Sequence, residues 1–171
     1  MTLDQLLKIM PKARRRAAGF LEALNVTMAE CCINTPARQA SFLAQVGHES
    51  GQLLYVQELA SGAAYEGRAD LGNTKSGDGV RFKGRGLIQI TGRANYAACG
   101  TALGLDLIGT PALLEQPVNA CRSAGWFWRA HGLNELADAG DQVRVTRRVN
   151  GGVNGLAERL ALFAVAQRVL L

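Results

Sequence analysis

The sequence predicts a mainly α-helical domain with one small β element. Three observations predict it. Apolar residues recur at helical spacing over most of the chain, a single glycine-rich stretch from Ser61 to Gly86 interrupts them, and one short β-branched run, Leu87 to Thr91, follows. A chain of 171 residues is one domain by size, long enough to bury about two-thirds of its unfolded surface.

Taken in order, Leu3 to Met10 reads as a short amphipathic helix closed by Pro11, with Asp4 in its first turn to suit the helix dipole. Lys12 to Leu24 reads as a second, and Thr27 to Ile33 as a third, with Thr27 and Glu30 spaced as a capping box. Thr35 supplies an N-cap hydroxyl and Pro36 a pre-set first turn, so the central helix runs from Pro36 to Ser50, with Gly51 placed to end it. Leu53 to Leu59 fits either a helix or an extended run. Ser61 to Gly86 holds seven glycines and reads as a long loop; its Tyr65, Arg68, Arg81, Phe82, Lys83 and Arg85 favour a functional one. After the predicted strand, Leu87 to Thr91, a small-residue helix carries Asn95 and Tyr96 and runs to about Leu103. Pro111 opens a turn. Helices are then expected at Val118 to Ala130, Asn134 to Ala139, Gln142 to Val149 and Leu156 to Leu171. Trp126, Phe127 and Trp128 are consecutive and cannot all face inward, so one is expected in the core and one on a groove wall, with purely structural roles for all three fitting the spacing equally well.

In the central helix one acid looks out of place. Glu49 lies seven residues after Phe42 and three after Val46, which puts it in the last turn on the core-facing side. A carboxyl partly desolvated there would hold its proton more tightly, the property a general acid needs near neutral pH.

An apolar share of 48% and a charged share of 19% exclude a disordered chain, and few aromatics argue against a stacking surface for single-stranded nucleic acid. A net charge of +5 fits a polyanionic partner such as nucleic acid, an anionic membrane or a bacterial wall polymer. Much of it lies in Lys12, Arg14, Arg15 and Arg16, either a solvated helix face or a docking patch. Cys31, Cys32, Cys99 and Cys121 show neither a metal nor a disulfide spacing and are expected to be reduced, buried thiols. No leader pattern and no run of about 18 apolar residues is seen, so synthesis in the cytoplasm without membrane insertion is expected.

Several chemistries fail on inspection. His48-Glu49 lacks the second histidine of a zinc-peptidase helix, and Gly72 to Gly86 lacks a phosphate-binding loop motif. Carboxylate chemistry remains. On a continuous helix Glu58 would stand opposite Glu49 and about 13 Å along the axis. A break at Gly51 instead lets the following segment fold back, so the two could face each other at the roughly 6.5–9.5 Å of an inverting glycosidase. On spacing alone, Glu58 and Glu66 fit ordinary surface acids as well.

From about Ala37 onward the sequence resembles the glycoside hydrolase family 19 chitinases and the related endolysins that bacteriophages use to break peptidoglycan. The resemblance rests on FLAQVGHESG, RFKGRGLIQITGRANY, WFW, RRVNGG and the GLAERL helix, in that order. YEGRADLGNT looks more like the phage and bacterial lysozyme-like branch than the plant chitinases, whose longer substrate-lining loops are absent here. The resemblance implies a lysozyme-like two-lobed helical fold with a deep cleft, acting by inversion on β-1,4 linkages of N-acetylated sugars, with no metal or organic cofactor. It assigns Glu49 as general acid and Glu58 as general base, with Glu66 the alternative base. Thr91 would hold the attacking water, with Gln89 pointing the same way on an extended segment. Asn95, its neighbour Tyr96 and Asn150 would bind sugar, and Arg159 would pair with an active-site carboxylate.

The expected protein is therefore a monomeric endolysin, held in the host cytoplasm until released to the wall, that cuts peptidoglycan glycan strands. Residues 1–34 would form N-terminal helices available to touch the wall, and residues 35–171 the family 19-like core. Within the same chemistry chitin is the alternative substrate. From another class, the alternative is a basic nucleic-acid-binding helical protein.

Overall fold

The computed structural model describes residues 1–171 as nine α-helices joined by turns. They are α1 (Leu3–Ile9), α2 (Ala17–Glu30), α3 (Pro36–Glu49), α4 (Asp78–Arg81), α5 (Arg93–Leu103), α6 (Pro117–Ala130), α7 (Leu133–Asp138), α8 (Gln142–Asn150) and α9 (Leu156–Leu170). Caps set several of the starts. Thr2 caps α1 in a full capping box with Gln5, Thr35 caps α3 through the Arg38 N–H, and Asp141 caps α8 through the Arg144 N–H.

The N-terminal third differs from its predicted division. Pro11–Arg15 is a tight 3-10 turn, and the helices expected at Lys12 to Leu24 and Thr27 to Ile33 are one helix, α2. Thr27 caps nothing. It lies buried within α2, whose apolar positions Phe20, Ala23, Leu24 and Met28 continue one buried face past it, so packing overrides the local capping pattern. Two α-helices therefore precede α3. Both belong to the main core: Leu6, Ile9, Phe20 and Leu24 share a cluster with Phe42, Leu43 and Val46 of α3 and Trp128 of α6. Phe42 meets Trp128 edge to face at 5.3 Å between ring centroids.

The second correction concerns the predicted strand. Leu87 to Thr91 does not run extended. Arg85 and Ile90 exchange backbone bonds of 3.1 and 2.8 Å, and residues 86–89 form the turn between them. Gly86 and Gln89 both take left-handed backbone angles, which an extended run forbids. The β element is thus reduced to two isolated bridges, Gln57 with Arg85 and Arg85 with Ile90. Leu53 to Leu59 is likewise neither helix nor long strand. Gly51, Gln52 and Leu53 are left-handed in succession and turn the chain out of α3.

Apolar packing divides the molecule into two lobes. The large lobe carries α1, α2, α3 and most of α6 to α9, and the small lobe is built on Phe82, Ile90, Tyr96, Cys99, Leu107 and Leu114. Phe127 packs against both clusters, and the cleft opens beside it. Cys99 and Cys121 are buried and pushed up to about 12 by that burial, whereas Cys32 is exposed, against the expectation of four buried thiols.

The glycine-rich stretch is ordered by charge and close packing. Glu66 accepts the Gly77 and Gly79 N–H groups at 2.7 and 2.8 Å. A Cβ on Gly79 would stand 2.5 Å from the Glu66 nitrogen, so only glycine lets these backbones meet. Asp78 anchors the stretch to α5 through a two-pronged pair with Arg93 at 2.8 and 2.5 Å. Those bonds, aided by the Lys75 N–H and opposed by burial, hold the Asp78 carboxyl at about 2. That is below the roughly 3.9 of an unfolded aspartate, so the pair's stabilisation is complete above pH ~4 and is lost as pH falls toward ~2. Asp78→Asn should therefore lower the thermal midpoint at pH 7, and the gap from the native protein should narrow by pH 2. An equal gap at both values would mean that the carboxylate's charge contributes nothing.

Candidate active site

Glu49 is the last residue of α3, and its side chain is 17% exposed. It belongs to a buried polar stripe, Ser41, Gln45 and Glu49, spaced four residues apart beside the apolar face. Each member has a partner on another helix. Ser41 donates to Gln142 Oε1 at 2.9 Å, Gln45 Nε2 donates to Thr146 at 3.3 Å, and Glu49 pairs with Arg159 of α9. Arg159 is 1% exposed. Its guanidinium also donates to Gln45 Oε1 at 2.5 Å and to the Asn154 carbonyl at 3.2 Å, which ties the loop after α8 to the carboxyl of α3. The sequence reading did not single out Gln45, though its place midway between Ser41 and Glu49 at helical spacing carries the signal.

The start of α9 presses on the same end of α3. A Cβ at Gly155 would sit 2.2 Å from the His48 ring, and Gly155 is left-handed, so a side chain there would be excluded twice over. His48 Nδ1 lies 2.9 Å from the largely exposed Glu158 carboxylate without hydrogen-bonding alignment.

Glu58 comes from the chain beyond the Gly51 reversal, where its backbone N–H donates to the Gly84 carbonyl at 2.9 Å. The space above Gly84 gathers three side chains. A Cβ there would meet Gln89 Oε1 at 2.7 Å, Glu58 Oε2 at 3.1 Å and Thr91 Oγ1 at 3.3 Å. The Tyr65 hydroxyl donates to Glu58 Oε2 at 3.0 Å, and burial together with that bond raises the phenol above its ordinary value. Glu58 Oε1 is buried and has no partner within the protein. Gln89 reaches this point from a left-handed turn position, not from an extended segment. That strain costs of order 1–3 kcal/mol and is characteristic of functional sites. Beneath the turn, Arg85 donates to Glu115, to the Arg81 carbonyl and to the Tyr96 hydroxyl at 2.8, 2.8 and 3.0 Å.

Thr91, Gln89 and Asn95 also line a groove of about 280 Å³ with Ile88, Trp126, Phe127, His131 and Arg148. Trp128 is fully buried while Trp126 and Phe127 flank the groove. Asn95 is exposed and braces Thr91 by donating to its carbonyl at 2.7 Å. Asn150 is exposed at the end of α8, beyond the groove's lining. Tyr96 is a correction. It is fully buried, its hydroxyl donates to the Lys83 carbonyl at 2.6 Å, and burial pushes it up to about 12, so it braces the small lobe out of reach of any ligand. Glu66, spent on two backbone N–H groups of the loop, stands apart from the Gly84 cluster. No three His, Cys, Asp or Glu side chains gather in a way that could hold a metal ion, and no helix is long and apolar enough to cross a membrane.

Removing one member of a buried ion pair leaves the other charge uncompensated. Arg159→Met should destabilise the fold near the lower end of roughly 3–5 kcal/mol, since Glu49 keeps some contact with water. Adding Glu49→Gln to that variant should recover part of the loss. Urea unfolding of the two variants checks both the size and the sign.

Known proteins resemble the chain along its whole length. The profile of the glycoside hydrolase family 19, class I chitinases, matches residues 23–168, so the likeness begins within α2 and not only at Ala37. A "glycosyl hydrolase family 19 domain-containing protein" of Haemophilus influenzae is 34% identical over 188 residues, covering 91% of this chain and 90% of that one. An endochitinase of Arabidopsis thaliana is 38% identical over 114 residues, 66% of this chain and 38% of its own. The chain thus spans well under half of that plant relative. Among solved structures, chitinase C from Streptomyces griseus superposes with a TM-score of 0.78 at 24% identity, covering 99% of this chain and 76% of that one. A bacterial family 19 chitinase gives 0.81 at 22%, covering 99% and 94%. These likenesses carry the two-lobed helical fold. Family profile, relatives and fold agree: the chain belongs to glycoside hydrolase family 19 and is a glycosidase.

Proposed function

We propose that the chain hydrolyses β-1,4 bonds in the glycan strands of bacterial peptidoglycan by inversion, as an endolysin does, with Glu49 as general acid and Glu58 as general base. The observation that carries this reading is the convergence of Glu58, Thr91 and Gln89 above Gly84, with the second oxygen of Glu58 buried and unpartnered. Thr91 already donates its hydroxyl proton to the Gln89 carbonyl at 2.9 Å, so its lone pairs are left to accept. A water held between Glu58 Oε2 and Thr91 Oγ1, the two oxygens gathered there, would donate to both and direct its own lone pair outward at an anomeric carbon. Glu49, oriented by Arg159, would protonate the leaving oxygen from the other side. Trp126 and Phe127 offer apolar faces to a sugar ring, and Asn95 and Asn150 offer amides to its N-acetyl groups. The net charge of +5 favours an anionic wall polymer. Chitin is the second reading, favoured by relatives named endochitinases.

Three amide substitutions separate the roles. Glu49→Gln should abolish lysis of permeabilised Gram-negative cells with fold and wall binding retained. Glu58→Gln should lose about 10² to 10⁴ in turnover, the usual cost of a missing general base, and Glu66→Gln less. The reverse ranking of the last two would move the base to Glu66.

Stereochemistry tests the paired roles. A water activated by Glu58 attacks from the face opposite the leaving group, so the β-linked sugar should be released first as the α-anomer, without a covalent intermediate. Proton NMR of the new reducing end, recorded before mutarotation, reads this directly, and an initial β-anomer would sink the inverting assignment.

A further inference from the structure

Arg148 lines the sugar groove beside Thr91, Asn95, Trp126 and His131, and it is matched differently from the arginines around it. Arg159 pairs with Glu49, Arg85 with Glu115 and Arg93 with Asp78. Arg148 forms no ion pair with any carboxylate of the chain. Its Nη1 donates to the His131 carbonyl at 3.1 Å, and the other donors of the guanidinium fork have no protein acceptor. The mount is firm. His131 stacks on Phe127 with ring centroids 3.9 Å apart, its Nδ1 lies 2.8 Å from the Phe127 carbonyl, and it follows directly on α6, whose negative dipole end suits a cation.

A positioned guanidinium with free donors is a site for a planar anion, above all a carboxylate. The two candidate polymers differ in that group. Chitin is uncharged along its length, whereas alternate sugars of peptidoglycan carry a lactyl carboxyl, either free or extended into a peptide with its own carboxylates. We propose that Arg148 is a specificity-determining residue that binds this anionic substituent and so favours peptidoglycan over chitin. The inference rests on the proposed reading of the groove as the sugar site. Because the contact is to a substituent and not to the bond being cleaved, and is made equally before and during reaction, its loss raises KM and leaves kcat nearly unchanged.

Steady-state kinetics on three substrates provide the test: intact peptidoglycan strands, strands stripped of peptide by an amidase, and chitin oligomers. Arg148→Met keeps the length of the stem and removes the charge. Its KM should rise about 10- to 100-fold more on the anionic strands than on chitin oligomers, the range expected for a charge-assisted hydrogen bond. Arg148→Lys should restore part of the loss, and Arg147→Gln, exposed on the same helix outside the groove, should change nothing. A loss on stripped strands alone assigns the free lactyl carboxylate, a loss on intact strands alone assigns the peptide's carboxylates, and a loss on both assigns a carboxylate in either place. Each of these supports the proposal. An equal change on all three substrates overturns it while leaving the sugar site in place. A native enzyme inactive on both anionic strands overturns the peptidoglycan reading itself and this inference with it.

Discussion

A guanidinium buried to 1% exposure is the constraint on which the arrangement depends. Removing such a charge from water is tolerated only where acceptors surround it, and Arg159 finds them on α3, through Gln45 and Glu49, and in the loop after α8, through Asn154. The three contacts fix how α9 lies along α3. Thr146 and Gln142 of α8 then continue the same polar seam to Gln45 and Ser41. A slide of one helical turn along α3 would break every bond in the series and strand the charge. The orientation of the Glu49 carboxyl is thus a by-product of satisfying Arg159.

The small lobe meets the same problem with another arginine. Arg85 is 9% exposed and finds Glu115, the Tyr96 hydroxyl and a main-chain carbonyl, and the turn it carries presents Gln89 and Thr91. Both halves of the site are therefore built as acceptors arranged around a buried cation, with Glu49 at the edge of one and Gln89 and Thr91 at the edge of the other. Arg148 is left outside that economy, which is why it stands out.

Much of this was legible in the sequence, because the signals are local. Thr35-Pro36 marked the start of α3 and Gly51 its end, and the positions of α6 to α9 fell within a residue or two of their observed bounds. Glu49 could be picked out as an acid in the last turn of an amphipathic helix. What escaped was set by tertiary contact. The Thr27 pattern mimicked a cap that burial of α2 overrode, and the β-branched run at Leu87 to Thr91 hid a turn that Gly86 and a left-handed Gln89 close. Tyr96 sits inside a motif whose neighbours face the groove, and only the fold shows it pointing into the small lobe. The meeting of Glu58 with Thr91, 33 positions apart in the numbering, likewise depends on the backbone bond from Glu58 to Gly84, which no spacing encodes.

The turn between Arg85 and Ile90 also joins the two lobes. Leu87 and Ile88 at its tip are buried in the large cluster with Phe42, Leu43 and Val46 of α3, whereas Ile90 at its foot belongs to the small one. Glu49 is consequently referenced to the large cluster through α3, whereas Glu58 is bonded to Gly84, between Phe82 and Arg85 of the small lobe. The spacing of the two candidate carboxylates is therefore set where the lobes meet, and a turn with its tip in one cluster and its foot in the other is the stitch that holds that spacing.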